Sequence, residues 1–536
     1  MTERSLRSSS LILGSGTLVS RAFGFARAIL LAQALGVTAS AGADAFAVAN
    51  QLPNNIYAIV AGGVFSATLV PAIVKSAVHD DGGRAYVNKL LTAALTLMVA
   101  TTAVATVLAP VLVSLYASGW SANQLALATA FAYICLPQIF FYGLYALLGE
   151  ILNGRKIFGP FTWAPVANNI IAIAGLVSFV LLFGFDSLGA RSVVDWSPEM
   201  IWLLAGTATL GVATQSVLLF FFWRRIGLSF RLDFRWRGVG MRDTGRMASW
   251  TFGMLLLTQV AGLIETNVSA LASGYGASVF TLQTAWLTFM LPHSIITVSL
   301  ATAYFTRMSA HASANNLSAL ADDTQESVRR ITLFMFWAMG ALISAAFPFS
   351  TLFASGNLAV SQLAWVIIAT TVGLPAFSVL FLLQRVFYAL GDGRTPFIVT
   401  LCQTIVFSGL VIACALLPKE ILAVGVATTL SVVGIGQTGL AFYFVRKRLA
   451  DFVFRPILIT TLRAFFAGSL SMLAGLCVAA LLGSFSGGFA VANAGTGLLS
   501  TAVIGVVVTG VFVAVLRLVR TPELRDLLPR RRPTGE

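Results

Sequence analysis

The chain alternates between apolar runs of about 20–30 residues and short polar segments. A helix rising 1.5 Å per residue crosses a ~30 Å hydrocarbon layer in about 20 residues, so each run is long enough to span a bilayer. About fourteen spanning helices are expected, the first eight at 10–36, 45–74, 90–117, 124–149, 158–184, 200–223, 247–273 and 279–305. Six more follow at 331–354, 360–390, 396–418, 421–445, 459–484 and 493–518. In lipid a helix satisfies its own backbone donors and acceptors, so the fold class expected is an all-α polytopic membrane protein.

Composition agrees. Hydrophobic residues make up 58% of the 536 and charged residues only 10%, against about 25% charged in soluble domains. The net charge of +14 does not point to nucleic acid, because the cations lie in short loops between apolar runs. With the N-terminus inside and the chain alternating, inside segments hold 28 of the 34 Lys and Arg, and outside loops hold only Arg191 and Lys419. That asymmetry sets both termini in the cytoplasm and fits contact with anionic membrane lipids. Arg4 and Arg7 before an apolar run mimic a signal peptide, but Arg21 interrupts the run and no small-residue cleavage site follows. A retained first helix is therefore expected. The four cysteines (135, 402, 414 and 477) sit in apolar runs without metal or disulfide spacing.

The chain also repeats. Leu52-Pro53 recurs as Leu291-Pro292, Leu136-Pro137 as Leu374-Pro375, and Gly154-Arg155 as Gly393-Arg394. The offset of about 239 residues spans six expected helices, an even number, so both copies enter the membrane in one direction. The expected organisation is an N-lobe at 1–223, a basic cytoplasmic linker at 224–246 and a C-lobe at 247–448. Two added helices follow at 449–518, then a basic tail at 519–536. Two parallel six-helix lobes of this kind enclose a central cavity and rock about it.

Against that apolar background a few residues stand out. Arg21 and Arg27 lie in the first span, and an arginine at mid-membrane costs about 2.5–3.5 kcal/mol even on a lenient scale. At 100° per residue Arg21, Gly24 and Arg27 share an arc of about 120°, two cations flanking a side-chain-free gap. This pattern suits an anion in a wet cavity. The competing reading is structural: Arg27 neutralises Asp44, and Arg21 snorkels to the interface. In the second span Asn50 with Asn54, and Gln51 with Asn55, form a polar strip beside Pro53. The fifth carries Pro165, Asn168 and Asn169, which serve equally as a kink with interhelical hydrogen bonds. Glu265, near Asn267, is the one acid well inside a span, and its readings are ion or proton coupling or a charge partner for an arginine. His293 reads first as a structural residue, and Arg385 and Arg463 as snorkelling cations near span ends.

Signatures of catalysis are missing: no Gly-Lys-Ser/Thr phosphate loop, no His-Glu-x-x-His and no Gly-x-Ser-x-Gly. No enzyme activity, cofactor or metal site is expected. Uphill work would draw on sodium, protons or the membrane potential.

Several stretches carry a resemblance. Ser20-Arg21-x-x-Gly24-Phe25-x-Arg27, Gly42-Ala43-Asp44-Ala45-Phe46, Leu52-Pro53-Asn54, Gly63-Val-Phe-Ser-Ala-Thr-Leu-Val-Pro71, Ala164-Pro165-Val166-x-x-Asn169 and Leu390-Gly-Asp-Gly-Arg-Thr-Pro396 resemble the MurJ/MviN lipid II flippase family of the MOP exporter superfamily. The resemblance implies transport of lipid II, an undecaprenyl-pyrophosphate-linked disaccharide-pentapeptide, across the bacterial inner membrane. It implies pyrophosphate binding by Arg21 and Arg27, and a groove at the last two helices for the lipid tail. Basic residues that many members carry in helices 2 and 8 are absent here, where Tyr57 and Leu287 stand, and Ala28 replaces an acid. The alternatives are a cation-coupled multidrug or polysaccharide-lipid exporter of the same superfamily, and a non-transporting scaffold that joins cell-wall synthesis proteins.

Overall fold

A computed structural model describes residues 3–61, 84–154, 157, 159–223, 231–234 and 245–523. Eighteen α-helices run through the described residues. The first nine are α1 (Glu3–Leu35), α2 (Ala41–Val60), α3 (Arg84–Val107), α4 (Ala109–Tyr116), α5 (Ala122–Cys135), α6 (Gln138–Gly154), α7 (Gly159–Phe183), α8 (Pro198–Trp223) and α9 (Gly245–Ala270). Then come α10 (Val279–Pro292), α11 (Val298–Ser313), α12 (Leu317–Ser350), α13 (Asn357–Thr371), α14 (Leu374–Ala389), α15 (Arg394–Cys414), α16 (Lys419–Arg448), α17 (Phe454–Leu481) and α18 (Ala494–Leu518).

Ten helical segments among the described residues are long and apolar enough to cross a membrane, or twelve if two bent pairs each count as one span. The expected count of fourteen is thus not confirmed among the described residues. The two expected spans left out are 45–74, of which only the part in α2, with Asp44, Asn50, Gln51, Asn54 and Asn55, is described while 62–74 lies outside the described residues, and 247–273 in α9, with Glu265 and Asn267. Their polar residues, the ones singled out as candidate chemistry, make them the least lipid-like of the set.

The bends have local causes. Leu91–Val107 meets α4 at 71°, with Pro110 in the first turn of α4. Asn357–Thr371 meets α14 at 42°, with Pro375 in its first turn. Pro137 separates α5 from α6 at the corresponding anchor of the repeat. Proline has no N–H to give the preceding turn, so both Leu-Pro anchors fall where helical hydrogen bonding is interrupted. Ser431 mends the second break. Its hydroxyl accepts from Gly373 N–H at 3.0 Å and lies 2.6 Å from Ala369 O. The Leu52-Pro53 and Leu291-Pro292 pair behaves differently. Pro53 stays inside α2, whereas Pro292 precedes a π-turn at His293–Thr297.

The Cα positions group into two units, Met1–Phe280 and Thr281–Glu536. The boundary lies beyond the expected linker because α9 packs on α2 and α4 of the first unit. Within 224–246 only 231–234 and 245–246 are described, and within the tail only 519–523; the Gly63–Pro71 motif and Arg155 lie outside the described residues.

In the first unit α1 packs along α7, α7 along α8, and α2 between α5 and α6. In the second, α12 is the most enclosed spanning helix and carries α17 and α18 on its flank. Lipid tails are as apolar as leucine, so close approach holds such helices together. A Cβ on Gly468 would lie 3.1 Å from Phe336 O, and one on Gly475 would lie 2.6 Å from Val508 and 2.7 Å from Ser344. Ser344 Oγ adds a bond to Met472 O at 3.0 Å. Arg191, one of the two exceptions to the loop-charge pattern, has a structural role: its guanidinium donates to Phe183 O, at the end of α7, at 3.0 Å. A cation there complements the negative end of the helix dipole.

Candidate functional site

All the residues singled out for binding or coupling lie in the first unit. Arg21 and Arg27 sit two turns apart on α1, both half-buried. Among the described residues neither makes an ion pair or a hydrogen bond. Arg27 is within electrostatic reach of the Tyr142 phenol and the Cys135 thiol. Unpaired guanidiniums keep their charge and present a planar fork of donors, the geometry that suits phosphate or carboxylate oxygens.

Asn169 of α7 stands beside Gly24: a Cβ on Gly24 would meet Asn169 Nδ2 at an ordinary contact distance of 3.6 Å, and that amide donates to Ser20 O at 3.0 Å. Asn168 Nδ2 donates to Gln215 Oε1 at 2.8 Å. The amides of the fifth expected span therefore bridge α7 to α1 and α8.

The strip on α2 divides by function. Asn50 Oδ1 accepts from Gln138 Nε2 at 3.3 Å, and the same Nε2 lies 3.0 Å from Thr209 Oγ1. Tyr142 donates to Gln138 Oε1 at 3.2 Å, which extends the chain of contacts toward Arg27. Asn55 Nδ2 donates to Tyr116 Oη at 3.1 Å. Asn54 is exposed. Gln138, Tyr142 and Thr209 were missed in the sequence, although Gln138 follows a Leu-Pro anchor and Tyr142 stands one turn beyond it.

Asp44 is not the partner of Arg27. It lies in the first turn of α2 at 1% exposure, and Ser40 caps that helix by accepting from Ala43 N–H. The carboxylate accepts from the hydroxyls of Ser273, at 2.6 Å, and Ser278, and from Phe280 N–H at 2.9 Å. Gln124 donates to Ser273 Oγ at 2.8 Å and to Ala41 O at 3.2 Å. Trp120 Nε1 donates to Ala270 O at 2.9 Å. The segment 270–280 is thus tied to one end of α2 and to the start of α5. The glycine of the Gly42-Ala43-Asp44 motif is required by contact, since a Cβ there would sit 2.5 Å from the Trp196 indole.

Glu265 is half-buried on α9 and makes no hydrogen bond or ion pair among the described residues. Asn267, two residues on, donates to Leu115 O at 2.8 Å and accepts from Ser118 Oγ at 3.2 Å. Asn267 thus ties α9 to its neighbours, while Glu265 is left available. Among the described residues no group of His, Cys, Asp and Glu is arranged to hold a metal.

A family model described as lipid II flippase MurJ matches residues 31–499. Arg21, Gly24 and Arg27 stand just before the matched stretch. A curated relative from Rhizobium tropici, a probable lipid II flippase MurJ, is 27% identical over 399 residues, covering 72% of this chain and 71% of the relative. One of the same description from Rickettsia prowazekii is 25% identical over 455 residues, covering 82% and 84%. Among solved structures, a lipid II flippase MurJ in an inward closed conformation matches with a TM-score of 0.72 at 20% identity, over 96% of this chain and 99% of that one. An inward-facing MATE family multidrug resistance transporter of the MOP superfamily matches at 0.59 and 18%, over 82% and 98%. The two structural likenesses show the same fold.

Proposed function

We propose that this chain, which belongs to the lipid II flippase MurJ family, translocates lipid II from the cytoplasmic to the periplasmic leaflet of the bacterial inner membrane by alternating access. The observation that carries the reading is the pair Arg21 and Arg27, half-buried on one helix with no carboxylate paired to either among the described residues. Half-buried guanidiniums are costly in lipid unless an anion joins them. A diphosphate supplies that anion, with oxygens that match both forks. Asn54, exposed on α2, presents its amide to the polar headgroup, while Asn50 and Asn55 hold the wall behind it.

The excess of Lys and Arg in alternate loops supports cytoplasmic termini. The membrane potential favours outward movement of negative charge by about 2.3 kcal/mol per charge per 100 mV. Glu265 is the group on which sodium or proton coupling would act, being an acid of α9 with no hydrogen bond or ion pair among the described residues. An apolar cavity of about 370 Å³ beside α17, lined by residues including Val328, Phe336, Val379, Ile435, Phe442 and Phe465, suits part of a long isoprenoid chain. The protein acts as a carrier without bond chemistry, with membrane lipids and cell-wall synthesis proteins as its neighbours.

The test is reconstitution of the purified chain in vesicles containing fluorescent lipid II, with leaflet exposure followed by a membrane-impermeant quencher. Protein-dependent movement of the label is expected. Vesicles that leave the label in place while accumulating a cationic dye such as ethidium would replace this reading with drug export.

A further inference from the structure

Arg385 lies in α14, one turn before its end at Ala389. Its guanidinium carbon sits 4.3 Å from the ring centroid of Phe381 and 5.5 Å from that of Phe305 on α11. Phe381 is itself held in place. The His293 ring meets it edge-on at 5.1 Å and meets Phe377 at 4.8 Å, and His293 Nδ1 is 2.9 Å from Ser378 Oγ. Arg385 therefore rests on a floor of packed rings instead of reaching freely to water.

Four other arginines of the second unit have carboxylates: Arg307 pairs with Asp323, Arg330 with Glu326 at 2.6 Å, Arg329 with Glu523 at 3.4 Å and Arg448 with Asp392 at 2.7 Å. Among the described residues Arg385 has none. Its Nε is buried and has no acceptor. An unsatisfied donor of a charged group calls for an anion or water to complete it. Cation–π contact holds the plane of a guanidinium but leaves its edge donors open. The loop after α14 carries Asp392 and Arg394, and the loop-charge pattern assigns that end to the cytoplasmic face. On that orientation the fork lies one turn from the cytoplasmic end of its helix, the side that faces the headgroups of the inner leaflet.

We propose that Arg385 forms a phosphate-binding subsite of the second unit, separate from the Arg21 and Arg27 pair, which takes a phosphate oxygen of a lipid headgroup at the cytoplasmic surface. Two lipids share this chemistry, an isoprenoid diphosphate and a resident phosphodiester phospholipid. The subsite stands on its own geometry and does not require the transport reading.

The experiment measures binding to the purified full chain of farnesyl diphosphate, dioctanoyl phosphatidylglycerol and, as the uncharged control, farnesol. Arg385→Ala is expected to weaken at least one anionic probe roughly tenfold and to leave farnesol unchanged. A loss confined to farnesyl diphosphate assigns the fork to an isoprenoid diphosphate, and a loss confined to phosphatidylglycerol assigns it to a resident phospholipid. A loss on both assigns it to the shared phosphate. Unchanged affinity for both anionic probes overturns the proposal. If the alanine variant does not fold, Arg385→Lys decides, since it keeps the cation and removes the planar fork; wild-type affinity in that variant overturns the proposal too. Failure of the transport reading would be seen separately, as vesicles that do not move lipid while probe binding persists.

Discussion

Asp44→Ala tests how the segment 270–280 is held to α2. The carboxylate accepts three hydrogen bonds, from Ser273, Ser278 and Phe280 N–H, in a position that is 1% exposed. Removing it strands three donors, and each buried donor left without a partner costs about 1–3 kcal/mol. Ser273 and Ser278 donate through hydroxyls that can rotate toward another acceptor, so a total of about 3–5 kcal/mol is expected rather than the full sum. Ser278→Ala removes one bond and leaves the carboxylate two, for an expected cost of about 1 kcal/mol. The assay is a double-mutant cycle on the detergent-solubilised full chain, with apparent unfolding free energies from denaturant titration. A coupling of about 0.5–3 kcal/mol between Asp44 and Ser278 is expected. An Asp44→Ala cost no larger than that of Ser278→Ala, with no coupling, would refute the idea that this carboxylate secures the segment.

Three other expectations follow. Burial alone would raise Asp392, but bonds from the Thr395 hydroxyl and N–H and from Arg448 outweigh it and hold its carboxyl below the usual range. A depressed pKa stabilises the fold above the unfolded value near 4 and is lost as pH falls through the folded one. The stability gap between wild type and Asp392→Asn should therefore close under acid titration below about pH 4, and a constant gap would contradict the pairing. Gly497→Ala places a Cβ 1.9 Å from Thr351 Oγ1 and 2.5 Å from Pro348 O, whereas Gly505 has open space around it. The first substitution should cost about 1–3 kcal/mol in unfolding measurements and Gly505→Ala far less; equal effects would count against tight packing of α18 on α12. Glu265→Gln should change the dependence of transport on pH, sodium or potential, and unchanged dependence on all three removes Glu265 from coupling.

The spans were legible because length and hydropathy are local properties, and a run such as 459–484 reads as a helix without knowledge of its neighbours. The repeat was legible at Leu136-Pro137 and Leu374-Pro375, although the sequence did not say that both would break their helices. Partnerships were harder. Asp44 bonds to Ser273, 229 residues away, and nothing local distinguishes those donors from the nearby Arg27, which looked the better electrostatic match. The contact of Asn169 with Ser20 beside Gly24 was likewise out of reach, because it is set by how α7 lies on α1. The network of Gln138, Tyr142 and Thr209 joins three segments whose individual residues are unremarkable in isolation. Arg385 looked like a snorkelling cation because its ring contacts come partly from Phe305 on another helix.

The most direct measurement is the rate at which vesicles containing Arg21→Ala, Arg27→Ala or the double variant move fluorescent lipid II, compared with wild type at equal folded protein. Each charge-assisted contact to phosphate contributes about 1.5–3 kcal/mol, so roughly a tenfold to hundredfold loss is expected for each single variant. The double variant should be slower still. Folded double-variant protein that moves the lipid at the wild-type rate would contradict the assignment of these two arginines to the headgroup.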